Sequence, residues 1–251
     1  MLDIKSVSRH YDGLTALSGV SMTVPEGRIV GLIGPNGAGK TTLINCVSGL
    51  EHVSSGEIVF AGTAIERRAP HRIAALGIAR TYQNIRLFGD MTALDNLIAA
   101  QHLQGRSTLP HALLAWPYHA REENRLRQQA VDLLRSFNLD AVADTRAGNL
   151  SYGDQRRLEM ARALVTRPRL ALLDEPTAGM NAVETRQLGD HILQMRDSGI
   201  TVLVVEHDMA LIGQVCEEVY VLNFGEIIAH GTPDEIKHNP AVIEAYLGKE
   251  G

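Results

Sequence analysis

Long apolar runs are missing from this chain. Its longest, such as IVGLIG and TVLVV, fall far short of the ~18 to 20 residues that span a bilayer. Any work at a membrane is therefore expected to depend on a partner that crosses it. The opening MLDIKSVSRH lacks an apolar stretch behind a basic start, which argues against a secretory leader. No block of Lys or Arg stands out, and 24 Lys+Arg against 29 Asp+Glu leave a formal net charge of −5. That balance argues against a nucleic-acid surface, and no nucleic-acid partner is expected. Cysteine is scarce: Cys46 and Cys216 lie in helix-like apolar contexts without metal-type spacing and read as reduced, structural thiols. Internal repeats and low-complexity tracts are absent too. What remains, 251 residues at 45% hydrophobic content, can bury one sizeable core, or a core with a smaller satellite, in a globular protein of the cytosol.

Residues 2–33 read as short alternating strands broken at DG and PEG turns, ending in GRIVGLIG, the nearly continuous apolar run of a buried parallel strand. RLALLDEP at 169–176 and ITVLVVEHD at 200–208 have the same character and alternate with helical patterns, which predicts a parallel α/β sheet. Between about 86 and 164 the pattern turns helical, in TALDNLIAAQHL and HAREENRLRQQAVDLLRSFNL, with a Pro/Trp-containing break at LPHALLAWPY. That stretch predicts a helical insertion. The tail EIIAHGTPDEIKHNPAVIEAYLG predicts a strand and turn followed by two short helices separated at HNP.

GPNGAGKTT fits G-x-x-x-x-G-K-[ST] directly after a predicted strand and at the start of a predicted helix. In Gly34, Pro35, Asn36, Gly37, Ala38 and Gly39, successive backbone N–H groups can converge on phosphate oxygens. Lys40 reaches the β- and γ-phosphates, and the Thr41 hydroxyl, followed by Thr42, can ligate Mg²⁺. LALLDEP then puts Asp174 and Glu175 at the C-terminal end of a buried strand, where ligands gather in open α/β sheets. Asp174 is placed to hold Mg²⁺ through its water shell, and Glu175 to polarise an attacking water. A third element, LSYGDQRRLEMARAL at 150–164, opens with turn-like residues and continues with apolar positions at helical spacing. A helix start of that kind attracts anions.

Taken in order, GPNGAGKTT, LSYGDQRRLEMARAL, LALLDEP and VVEHDM resemble the ATP-binding subunit of ABC transporters across nearly the whole chain. RTYQNIRLFGDMTALDNL, EPTAGMN and NPAVIEAYLG resemble, within it, the subfamily serving branched-chain amino-acid importers, with short-amide importers close by. The resemblance implies an α/β fold: a P-loop NTPase (RecA-like) core with an N-terminal antiparallel β portion over 1–85 and 165–251, and a helical insertion subdomain over 86–164 bearing the signature motif. It implies ATP and Mg²⁺ as ligands. It also implies that Tyr11 stacks on adenine, that Gln83 senses Mg²⁺ and γ-phosphate, and that His207 touches the γ-phosphate. Two such cassettes would face each other head to tail, so that Ser151 and the Gly153 backbone of one cover the γ-phosphate held by the other.

Implied partners are transmembrane permease subunits, a second ATP-binding cassette and, indirectly, a periplasmic substrate-binding protein, with the chain peripheral on the cytoplasmic face. Ile85, Leu87 and Phe88 are expected to line a groove for a cytoplasmic permease helix. Alternatives are ABC ATPases for urea or short amides, for lipid or lipopolysaccharide export, or outside transport altogether.

Three positions, in two motifs, depart from the family's usual pattern. Tyr152 and Asp154 replace the first glycine and the glutamine of L-S-G-G-Q, and Asn181 in AGMN stands where an acid is common. An acid at 154 suits a helix start yet would repel a nearby triphosphate. The amide of Asn181 can donate and accept across a dimer interface.

Overall fold

The structure, a computed structural model, describes residues 1–102 and 116–247. The expected break at LPHALLAWPY lies mostly outside the described residues. The described chain forms two compact units: Met1–Gln83 with the stretch from Arg169 onward, and Asn84–Pro168.

In the first unit, β1 (Leu2–Tyr11) and β2 (Leu14–Val24) pair antiparallel through the Asp12–Gly13 turn. Both turn residues have positive φ, as a tight hairpin asks. The second strand pair of this sheet is β4 (Ser55–Phe60) and β5 (Thr63–Ala64), giving the order β2-β1-β4-β5. The other sheet runs β10-β9-β3-β8-β7-β6. Its centre is β3 (Ile29–Ile33), β8 (Thr201–Val205) and β7 (Leu170–Asp174), parallel and buried at every residue. Burial on both faces is why these strands read as unbroken apolar runs.

At one flank β6 (Ile78–Arg80) runs parallel to β7; at the other, β9 (Glu218–Asn223) is parallel to β3 and β10 (Glu226–Gly231) closes antiparallel. Leu2, Ile4 and Ile58 of the antiparallel sheet share one apolar cluster with Leu32, Leu172 and Leu203 of the parallel sheet. Around the sheets lie α1 (Lys40–Val47), α2 (Pro70–Ala75), α6 (Ala182–Asp197), α7 (Met209–Val215), α8 (Pro233–Lys237) and α9 (Pro240–Leu247).

Cys46 and Cys216 are free and buried. Burial pushes their thiols up to about 11 and about 12, which keeps both protonated and unreactive. The second unit is helical: α3 (Ala93–His102), α4 (Trp116–Ser136) and α5 (Tyr152–Leu164). Among the described residues no helix is long and apolar enough to cross a membrane.

Candidate nucleotide site

The phosphate loop leaves the buried end of β3 under tight steric constraint. A Cβ on Gly34 would sit 2.0 Å from the Leu222 carbonyl oxygen, and one on Gly39 2.6 Å from that of Ala16. Only glycine lets the loop lie this close to β9 and β2. Pro35 is half-buried, Asn36 and Gly37 are exposed and Ala38 is buried, its carbonyl accepting from the Gly225 N–H at 2.9 Å.

Helix α1 starts at Gly39 in a left-handed conformation, without a side-chain cap and without an acid in its first turn. Its leading N–H groups and partial positive charge are thus left for an anion. Lys40 is 6% exposed, and its ammonium donates to the carbonyls of Gly34 at 2.5 Å and Pro35 at 3.0 Å. Burial lowers its pKa, against the opposing charges of Glu175, Asp174 and Glu206. The loop lysine is therefore within electrostatic reach of three strand-end carboxylates. Thr41 is exposed and Thr42 half-buried.

Asp174 ends β7, buried, with its Oδ2 accepting from Arg80 Nη2 at 2.8 Å. Arg80 also donates to Asn45 at 2.8 Å and Ser48 at 2.9 Å and lies over the Tyr82 ring. Glu175 takes φ +46°, costly for a residue with a side chain. Its N–H donates to Val205 at 2.9 Å, and its carboxylate accepts from Gln83 Nε2 at 2.7 Å. One strand over, Glu206 is wholly buried and accepts from Thr177, His207 and Asp208. The His207 side chain is exposed.

Lys40, Gln83, Asp174 and Glu175 are thereby assembled at the C-terminal ends of the parallel strands, with His207 following β8. Tyr11 stands outside that group of contacts: it closes the β1–β2 hairpin, half-buried, with the Arg9 guanidinium 4.4 Å over its ring. Ser151 and Gly153 belong to the helical unit.

In that unit Ser151 caps α5. Its hydroxyl accepts from the Asp154 N–H at 3.2 Å and donates to the Asp154 carboxylate at 2.7 Å. The other Asp154 oxygen pairs with Arg157. The acid that looked unfavourable beside a triphosphate thus has its charge balanced locally and holds the serine in place. Arg156 and Glu159 form a buried pair at 3.2 Å, with Arg156 also donating to the Tyr152 hydroxyl. Buried Asn96 accepts from the Phe88 N–H at 2.9 Å and donates to its carbonyl at 3.1 Å, and the Phe88 ring is left 46% exposed. Ile85 and Leu87 are half-buried. The Asn181 carbonyl oxygen caps α6 in a reciprocal box with Glu184, so this oxygen is already engaged within its own chain.

Sequence reading missed Arg80, Glu206 and Asn96. Arg80 sits on a strand too short for any period to show. Glu206 left one usable signal, a carboxylate directly after a five-residue strand that is buried throughout.

Residues 17–178 match the ABC transporter family, and residues 226–251 match the branched-chain amino acid ATP-binding cassette transporter family. The chain is 42% identical to the high-affinity branched-chain amino acid transport ATP-binding protein BraF of Pseudomonas aeruginosa, covering 99% of this chain and 98% of that one. LivG of Salmonella typhimurium, described in the same words, matches at the same identity and coverage. A crystal structure of a nucleotide-free ATP-binding cassette from an ABC transporter superposes with TM-score 0.86 at 32% identity, covering 99% of both chains. The ADP conformation of an ABC transporter cassette gives TM-score 0.86 at 30% identity, again covering 99% of both. Matches of this extent in both sequence and fold mean that the chain belongs to the ATP-binding cassettes of ABC transporters.

Proposed function

We propose that this chain is the ATP-hydrolysing subunit of an importer for branched-chain amino acids, acting at the cytoplasmic face of a membrane with permease subunits and a second cassette. A periplasmic binding protein would serve the permease without touching this chain. Family membership makes the chain an ATPase whose hydrolysis is coupled to transport. The choice of substrate is supported by relatives named for it and by the match of the C-terminal segment. The observation that carries the reading is the uncapped, acid-free start of α1, with the buried Lys40 ammonium held by the Gly34 and Pro35 carbonyls of the same loop.

The chemistry follows from those positions. Loop N–H groups and the uncapped start of α1 bind the triphosphate. Lys40 exchanges two carbonyl acceptors for phosphate oxygens, which are stronger acceptors because they are charged. The same charge favours the ammonium that burial disfavours. Glu175 orients the attacking water and takes its proton, while Gln83 holds the carboxylate and His207 steadies the transferring phosphoryl group. Thr41, Gln83 and Asp174 are oxygen donors that suit Mg²⁺. Among the described residues no cluster of three or more His, Cys, Asp or Glu would hold a metal alone, and a cation that keeps water and phosphate ligands needs none. Thr41, Gln83 and Asp174 would hold such an ion, which would supply positive charge beside the phosphate oxygens.

Tyr11 has one ring face against Arg9, and its other face is assigned to adenine. Ser151 and the Gly153 N–H serve the ATP of the partner cassette. Ile85, Leu87 and exposed Phe88 receive a permease helix.

The test is Glu175→Gln in membranes carrying the permeases. ATP binding is expected to persist while hydrolysis falls by orders of magnitude, with loss of leucine uptake. Near-normal turnover would remove Glu175 from its role. Uptake of urea in place of leucine by the parent would change the substrate.

A further inference from the structure

Glu206 is a charged side chain with no exposure to solvent, and the mechanism above gives it no task. A buried carboxylate is tolerated only when its lone pairs are filled. Here Oε1 accepts from the Thr177 N–H at 2.8 Å and hydroxyl at 2.5 Å, and Oε2 from the His207 N–H at 2.9 Å and the Asp208 N–H at 3.3 Å. The Glu206 backbone is itself anchored, its N–H donating to Leu32 on β3 at 3.2 Å. Each oxygen thus serves a different loop. Thr177 lies two residues beyond Glu175, whose own N–H is tied to Val205, the neighbour of Glu206. The other oxygen holds the loop that bears His207.

We infer that Glu206 is a positioning residue: its buried carboxylate locks the turn after Glu175 to the His207 loop, so that these two side chains keep a set spacing during hydrolysis. The inference rests on the hydrolysis site proposed above. The physical basis is that neither loop can shift alone. Movement of either strips two charge-assisted bonds from a carboxylate that no water reaches. Glu206 touches no substrate; it acts through Glu175 and His207.

The test is Glu206→Gln in the assembled transporter. An amide keeps the shape but turns an NH₂ group toward one pair of N–H or O–H donors, which frees one loop. The turnover number is expected to fall about 10- to 100-fold, the scale of a misplacement near 1 Å, with nucleotide Kd and KM within about threefold of the parent. In a His207→Ala background, read by single-turnover hydrolysis, the same change is expected to cost less than it does in the parent, because one of the two side chains it spaces is gone. Thr177→Val, which removes one hydroxyl and keeps the buried charge, is expected to show the same pattern in weaker form, and it carries the test if Glu206→Gln does not fold.

Unchanged turnover in the folded variants, nucleotide affinity falling in step with turnover, or full additivity with His207→Ala overturns the inference alone. Normal hydrolysis by Glu175→Gln and His207→Ala overturns the site reading and the inference together.

Discussion

At Gly34 the constraint is steric before it is chemical. Its missing Cβ would lie 2.0 Å from the Leu222 carbonyl oxygen, whereas a Cβ on Gly37, also at positive φ, meets nothing within 4 Å. The two glycines of one motif are therefore needed for different reasons. Gly37→Ala adds only the strain of a left-handed residue, about 1 to 2 kcal/mol. Gly34→Ala must push the loop off β9 as well. Urea unfolding is expected to show the larger loss for Gly34→Ala, together with lost nucleotide binding, and equal losses would mean that the loop can move away freely. Glu175 is the converse case: it holds φ +46° although it carries a side chain. Its N–H bond to Val205 and its carboxylate bond to Gln83 hold it there.

Among the elements, the helix starts differ in what they leave open. Helix α6 is closed by the Asn181–Glu184 box and α8 by the matching Thr232–Glu235 box. In α8 the two hydrogen bonds from Thr232 hold the Glu235 carboxyl below its ordinary range. Helix α1 has neither a side-chain cap nor an acid in its first turn, which suits the phosphate-binding role proposed for it. Capping of this kind contributes about 1 kcal/mol per helix. Asn181→Ala is expected to lower stability by about that amount in urea unfolding, and Asn181→Asp to restore it, since either residue accepts from the same N–H groups. A fully stable Asn181→Ala would mean that this cap contributes nothing to the fold.

For the whole molecule, the proposal that the start of α5 serves the partner's ATP is tested by pairs of substitutions. Lys40 and Ser151 stand in different units of the chain. In a head-to-tail pair of cassettes they also belong to different ATP sites. Combining Lys40→Ala with Ser151→Arg in this chain is expected to damage both sites and leave almost no ATPase activity. Combining Lys40→Ala here with the matching serine change in the partner confines both lesions to one site and is expected to resemble Lys40→Ala alone. Measured at matched complex concentration, the reverse order would mean that α5 attends its own chain's nucleotide.

The sequence by itself determined the parts whose signal is local. Three buried strands were legible because burial on both faces leaves an unbroken apolar run, and the phosphate loop because its glycines and lysine must stand at set intervals. The helical insertion was legible from its period. Only the tertiary structure decided which side chains meet. Arg80 pairs with Asp174 across 94 residues of chain, and Thr177 bonds Glu206 across 29. Neither partner carries any mark of the other in its neighbouring residues. Strand order brings these groups together at one end of a sheet, and burial there then obliges each charge to find its donors.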